Sequence, residues 1–175
     1  FKPNVAEKAL KAGAHVINDI SGGSFDNTIL EVVSKYNAGY IAMHITGNQM
    51  TMHQIEERTD VIAAIIDDME KKKDLLDSFG IHNWVIDPGF GFGKTTQENF
   101  DIVKRLQELK VVNLPILLGV SRKSSIYKTL GIGPEDALNG TTVLHTLGLL
   151  NGASILRVHD VKEAKQIIQL LPFLQ

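Results

Sequence analysis

The sequence has no cysteine at all. Disulfides and thiolate metal sites are thereby excluded, and a reducing, cytoplasmic setting is the natural expectation. Net charge is also scarce: −2, from 18 basic and 20 acidic residues. Such a balance offers no field to recruit nucleic acid or a membrane surface, so neither partner is expected. Long apolar runs are missing too. The longest uncharged stretch, Ala137 to Leu156, is interrupted by asparagines, threonines and glycines and breaks at Asn151-Gly152. It does not read as a membrane span, and no signal-peptide pattern opens the chain. What remains, 43% hydrophobic and 22% charged over 175 residues, suffices for one sizeable core.

What is present is an alternation. Short apolar runs at 15–17, 40–43, 84–86, 116–120 and 154–156 are separated by stretches of helical periodicity. Continuously apolar strands alternating with helices predict a parallel sheet covered on both faces, in one domain. The helices carry start and stop signals. Asn4 with Glu7, Thr95 with Glu98 and Asp160 with Glu163 all fit capping boxes. Asp26 is placed to cap a helix that Gly39 would close. A long helix is expected from about Gln54 to Ser78, with Ile55, Ile62, Ile65, Met69 and Leu76 inward and Lys71-Lys72-Lys73 on its solvated side. The helix after Thr95 is expected to reach Lys110.

Every predicted strand ends in a polar or charged residue: Asn18, His44, Asp87, Lys123 and Arg157. A (βα)8 barrel looks like this, because its active site gathers at the C-terminal ends of the strands. An open doubly wound sheet uses mainly one switch point. Five units do not close a barrel of eight. The expected fold is therefore α/β, a partial TIM barrel holding units four to eight over residues 1–175, with the first three strands missing.

The stretch that organises the rest is Asp87-Pro88-Gly89-Phe90-Gly91-Phe92-Gly93-Lys94-Thr95. A P-loop would need glycine where Pro88 stands, and a dinucleotide fingerprint starting at Gly89 fails as well. On this motif alone, a βα turn with an exposed aspartate fits as well as a binding site. The other strand ends tip the reading. Arg122, Lys123, Arg157 and His159 would converge after the last two strands, where barrels tend to bind phosphate. Arginine offers oxyanions a planar fork and lysine a point charge, so an anionic substrate or leaving group is expected. Ser124 begins a helix whose N–H end could take a carboxylate. Asp87 can accept two parallel N–H bonds and Asn18 can both donate and accept. Phe92 and Met43 supply an apolar wall. Together they describe a slot for a guanidine-like heterocycle beside an anion site. No histidine shows triad or zinc spacing, so no metal ligand is expected in this chain.

These residues resemble a known family. Asn18-Asp19-Ile20-Ser21-Gly22-Gly23, Met43-His44, Asp87 to Lys94, Gly119-Val120-Ser121-Arg122-Lys123-Ser124 and Arg157-Val158-His159-Asp160 are similar to the dihydropteroate synthases, in the family's order along the whole chain. The resemblance implies a TIM barrel that joins 6-hydroxymethyl-7,8-dihydropterin pyrophosphate to p-aminobenzoate in folate biosynthesis, the step sulfonamides target. It implies that Asn18 and Asp87 bind the pterin and that Lys123 contacts its carbonyl side. Ile20, Met43, Gly91, Phe92 and Gly119 would line the pockets. Arg157 and His159 would hold pyrophosphate, and Ser124 the p-aminobenzoate carboxylate. Lys123, Arg157 and Asp87 would then carry the chemistry. It further implies Mg2+, with its ligand in the missing N-terminal part, and a homodimer through the helix within Ala137–Leu156. The chain departs from the family at the loop Ile45–Met50, at Phe90 and at Tyr127. A pterin module of a methyltetrahydrofolate corrinoid methyltransferase would share Asn18 and Asp87, but has no pyrophosphate to expel. An inactive fragment of the synthase is a third reading, and the 175 residues alone are expected to lack turnover.

Overall fold

The computed structural model describes residues 1–55 and 58–174. Helix α1 (Pro3–Lys11) is followed by β1 (Val16–Asp19), α2 (Thr28–Lys35), β2 (Gly39–Met43), α3 (Val61–Ser78), β3 (Trp84–Asp87) and α4 (Thr96–Lys104). After a 3₁₀ segment at Leu106–Val112 come β4 (Leu117–Leu118), α5 (Ser124–Leu130), α6 (Leu138–Leu150), β5 (Ile155–Leu156) and α7 (Val161–Leu170). All the strand pairs are parallel and neighbours follow chain order. Between β3 and β4 the ladder narrows to one bridge, Ile86 opposite Ile116, backed by the Ile86 N–H donating to the Pro115 carbonyl at 2.9 Å. The product is a single arc of five parallel strands, part of a (βα)8 barrel. No helix among the described residues is long and apolar enough to cross a membrane.

Strand side chains alternate between faces, and the register fixes which residues share one. Val16, Asn18, Ile41, Met43, Val85 and Asp87 fall on the inner face, and Ile17, Asp19, Tyr40, Ala42, Trp84 and Ile86 on the outer. Every one of that outer set is buried. They meet the helices through Ile29, Leu30, Ile62, Ile65, Met69, Ile102 and Leu106, all buried. Each side chain of that size contributes roughly 1.5–3 kcal/mol through burial. The inner face is the open one: Val16 is 51% exposed and Ile155 40%.

Several local expectations are corrected. Helix α3 starts at Val61, because Asp60 caps it by accepting the N–H groups of Ile62 (2.8 Å) and Ala63 (3.2 Å). Ile55 is exposed, and the part of the expected helix covering residues 56 and 57 lies outside the described residues. Lys72 is buried rather than solvated: its ammonium binds Asp68 one turn back at 2.6 Å, and its methylenes cover Gly22. Gly39 opens β2, while Asn37, at φ +48°, takes the left-handed position that ends α2. The Thr95–Glu98 capping box forms (3.1 and 2.7 Å). The other two do not, because Glu7 pairs with Lys11 and Lys35, and Asp160 with Arg122. Helix α4 ends at Lys104, short of Lys110.

Candidate active site

Asp87 closes β3 on the inner face of the arc and is 4% exposed. That burial removes the alternative of an exposed aspartate on a plain turn. Among the described residues, its side chain receives one hydrogen bond, from the Gly89 N–H to Oδ1 at 2.8 Å. Burial pushes the carboxyl up, the Gly89 N–H and the nearby Arg157, Lys123 and Lys94 cations pull it back, and the net shift is upward. A carboxylate 4% exposed, whose Oδ2 receives no donor from the described residues and which is ringed by cations, is a group prepared for something else.

The cations approach from the ends of β4 and β5. Lys123 lies with its ammonium 4.4 Å from the centre of the Phe92 ring, a cation–π contact. Burial, and then the like charge of Arg157, lower its pKa against the opposing pull of Asp87. Two glycines make room. A Cβ on Gly91 would come within 3.1 Å of the Lys123 side chain, and one on Gly119 within 3.2 Å of the Arg157 guanidinium. Arg157 itself is exposed, with its N–H tied to the Leu118 carbonyl at 3.1 Å.

Around this centre the other expected residues fall unevenly. Asn18 shares the inner face at the end of β1 and is exposed, and Met43 lies buried opposite Asp87 in the ladder. Ile20 follows β1 on its turn, half-buried. His159 is held beside the end of β4, since its N–H donates to the Ser121 hydroxyl at 3.2 Å and its Nδ1 lies 3.0 Å from the same oxygen. Ser124 opens α5. Arg122 is engaged by the residue that precedes α7 and by the segment after α5. Its guanidinium makes a two-pronged pair with Asp160 (2.9 and 2.9 Å) and donates to the carbonyls of Pro134 and Glu135. With four of its five donors committed, Arg122 braces the loop at φ +50° and keeps one N–H beyond those bonds.

Four residues that the sequence reading passed over hold the site together. Asn99 accepts the Gly91 N–H at 2.6 Å and donates to the Thr95 carbonyl at 2.8 Å. An asparagine inside a helix, where its propensity is poor, was the available signal. Arg58 binds the Gly93 carbonyl (3.1 Å), Glu98 (3.2 Å) and Thr46 (2.9 Å), so the segment after β2 is tied to the glycine loop. His53 stacks on Phe92 with centroids 5.6 Å apart. Lys94, the lysine of the glycine motif, is buried inside the loop. Among the described residues, no group of three His, Asp or Glu side chains could hold a metal ion. The described residues thus supply no all-protein cage for magnesium.

Residues 1–159 match the sequence model of the pterin binding enzyme family. The chain belongs to that family. It is 38% identical over 172 residues to the dihydropteroate synthase of Synechocystis, covering 97% of this chain and 60% of that protein. A crystal structure of the Clostridium difficile dihydropteroate synthase in the presence of pteroic acid superposes with a TM-score of 0.92 at 36% identity, over 99% of this chain and 65% of that one. The Xanthomonas albilineans dihydropteroate synthase with 4-aminobenzoic acid gives 0.92 at 32% identity, over 100% and 63%. This pterin binding chain thus spans about 60% of the length of the curated relatives it matches.

Proposed function

We propose that the protein is a dihydropteroate synthase and that these residues form barrel units four to eight of one pterin-binding domain. The observation that carries the reading is Asp87, a buried inner-face carboxylate with one donor among the described residues, near Lys123 and Arg157. A pterin ring presents the ring N–H and exocyclic amine that such a carboxylate accepts in parallel. The solved relatives with pteroic acid and with 4-aminobenzoic acid support both substrates.

The chemistry follows from the charges. The bond between the pterin methylene carbon and the pyrophosphate oxygen breaks, and its electron pair leaves with the oxygen. Arg157, with His159 beside it, stabilises the departing anion, while Asp87 stabilises the pterin cation left behind. The aryl amine nitrogen then bonds to the methylene carbon and releases a proton. Lys123 would hold the pterin carbonyl side, Asn18 its polar edge, and Met43, Ile20, Gly91, Phe92 and Gly119 the flat faces. Ser124 would receive the aryl carboxylate.

The test is pyrophosphate release from pterin pyrophosphate and p-aminobenzoate by the protein at the length of its relatives. Turnover that Lys123→Ala lowers about 100-fold is expected; turnover unchanged in Lys123→Ala overturns the assignment. The 175-residue chain alone should give no turnover, because the inner face stays open along Val16 and Ile155. Failure to bind p-aminobenzoate, with pterin still bound, would favour the methyltransferase reading. The proposal carries a cytoplasmic homodimer: α6 leaves Val143, Leu147 and Leu150 between 42% and 51% exposed, and sedimentation of the full-length protein as a monomer at micromolar concentration would refute that interface.

A further inference from the structure

We propose that Lys94 is the positioning residue that sets the Asp87 carboxylate, an inference that rests on Asp87 being the pterin ligand. Lys94 is 5% exposed and sits inside the loop it ends. Its ammonium donates to the carbonyls of Gly89 (3.0 Å) and Phe92 (3.2 Å). Those carbonyls converge because Gly89, Gly91 and Gly93 adopt φ of +70°, +83° and +55°, a left-handed succession that side chains resist. Gly89 is thereby held at both ends: its C=O by Lys94, and its N–H by Asp87 Oδ1. Phe92, the second carbonyl, carries the ring beneath the Lys123 ammonium. One buried cation fixes the backbone that orients the carboxylate and the ring that seats the cation facing it.

The loop cannot yield at this point. A Cβ on Gly89 would sit 2.1 Å from the His44 carbonyl oxygen, which closes the loop against β2. Lys94 has no route to the substrate, since its ammonium is buried and directed at carbonyls. It acts through Gly89 and through its charge. The groups that face it are Arg58, Asp68 from α3, Asp87 from β3 and Glu98 from α4, with His44 at the end of β2 kept neutral by burial and by the cations around it. Burial and Arg58 bring the ammonium down to about 7, against Asp87, Glu98 and Asp68. Its charge in turn helps hold Asp87 ionised, beside Arg157 and Lys123.

The experiment follows Asp87 directly, by carboxyl carbon NMR titration in the full-length protein, alongside kcat/KM for pterin pyrophosphate. In Lys94→Met the Asp87 titration moves to higher pH and kcat/KM falls about 100-fold; Lys94→Arg, which keeps the charge, restores the titration. Asn99→Ala frees the Gly91 N–H without changing charge, so it lowers kcat/KM and leaves the Asp87 titration in place. An Asp87 titration and kcat/KM both unmoved in Lys94→Met would overturn the proposal. Should that variant fail to fold, side-chain NMR of the wild type decides: the Asp87 carboxyl signal must respond to the titration of the Lys94 ammonium, and independent titrations refute the coupling. A wild type without turnover would sink the synthase reading alone, because the titrations judge the clamp separately.

Discussion

Asp19 and Asp87 end strands of the same arc, both nearly sealed from water, and are opposite in every other respect. Asp19 lies on the outer face. It accepts the Ser21 N–H (2.9 Å) and hydroxyl (2.8 Å), the Gly23 N–H (2.9 Å) and the Tyr40 hydroxyl (2.6 Å). Burial would raise its pKa, but those donors outweigh it and the carboxyl ends below the usual range. Asp87 lies on the inner face with one N–H donor among the described residues, and burial wins. The contrast separates two uses of a buried carboxylate. One that is saturated with donors is a latch for its own loop, whereas one left short of donors is reserved for a ligand that brings them.

The largest effect that would break this contrast is on turnover. Asp87→Ala should lower kcat/KM for pterin pyrophosphate by roughly 100- to 1,000-fold, with an unchanged circular dichroism spectrum. Asp19→Ala should do the reverse and act on stability. It strands the Tyr40 hydroxyl, the Ser21 N–H and the Gly23 N–H without an acceptor, at a cost of about 3 kcal/mol. Urea unfolding reads that loss, and a midpoint that stays put would show that the latch is idle.

The parity behind the contrast was legible in the sequence, and the partners were not. Alternation along Val16–Asp19 and Trp84–Asp87 follows from strands alone, and it placed Asn18 and Asp87 on one rim. Those are local signals: apolar runs, strand ends, glycines at alternate positions. The barrel arc and most of the rim followed from them. What stayed hidden depends on contacts between distant segments. Arg122 reads as one more cation beside Lys123 until Asp160 arrives from the other end of the chain. Lys72 reads as solvated within a lysine run, yet it folds under Gly22. Arg58 carries no periodic or motif signal, although it ties the β2 loop to Glu98 and Gly93. Asp60 was hidden for another reason: the apolar stripe extends N-terminally past the residue that caps the helix.

A smaller effect comes from comparing glycines rather than carboxylates. Gly89→Ala combines φ +70° with a Cβ placed 2.1 Å from the His44 carbonyl oxygen. Gly131 has a similar φ, +68°, but nothing within 4 Å of an added Cβ. The alanine at 131 should therefore cost about 1 kcal/mol, for left-handed backbone alone. The alanine at 89 should cost roughly 3 kcal/mol and weaken pterin binding, since backbone must move. Equal unfolding midpoints for the two variants would mean that the loop against β2 is not packed as described.

The smallest effect is the sharpest, because the two carboxylates should differ in sign. The folded pKa of Asp19 lies below its ordinary value of 3.8. Between the two the unfolded chain binds more protons, so this contribution is present above that value and is lost as pH falls through the folded pKa. Asp87 is raised above 3.8. Between 3.8 and its folded pKa the native state binds the extra proton, so ionised Asp87 destabilises the fold at neutral pH and the penalty fades on acidification. Asp87→Asn should accordingly unfold at slightly higher urea than the wild type at pH 7, with the gap closing toward pH 4. Asp19→Asn should unfold earlier at pH 7 and show a flatter acid limb. Paired urea titrations at the two pH values suffice, on protein without ligand. If Asp87→Asn were the less stable variant at pH 7, Asp87 would be a second latch like Asp19, and the case for it as the pterin ligand would lose its physical basis.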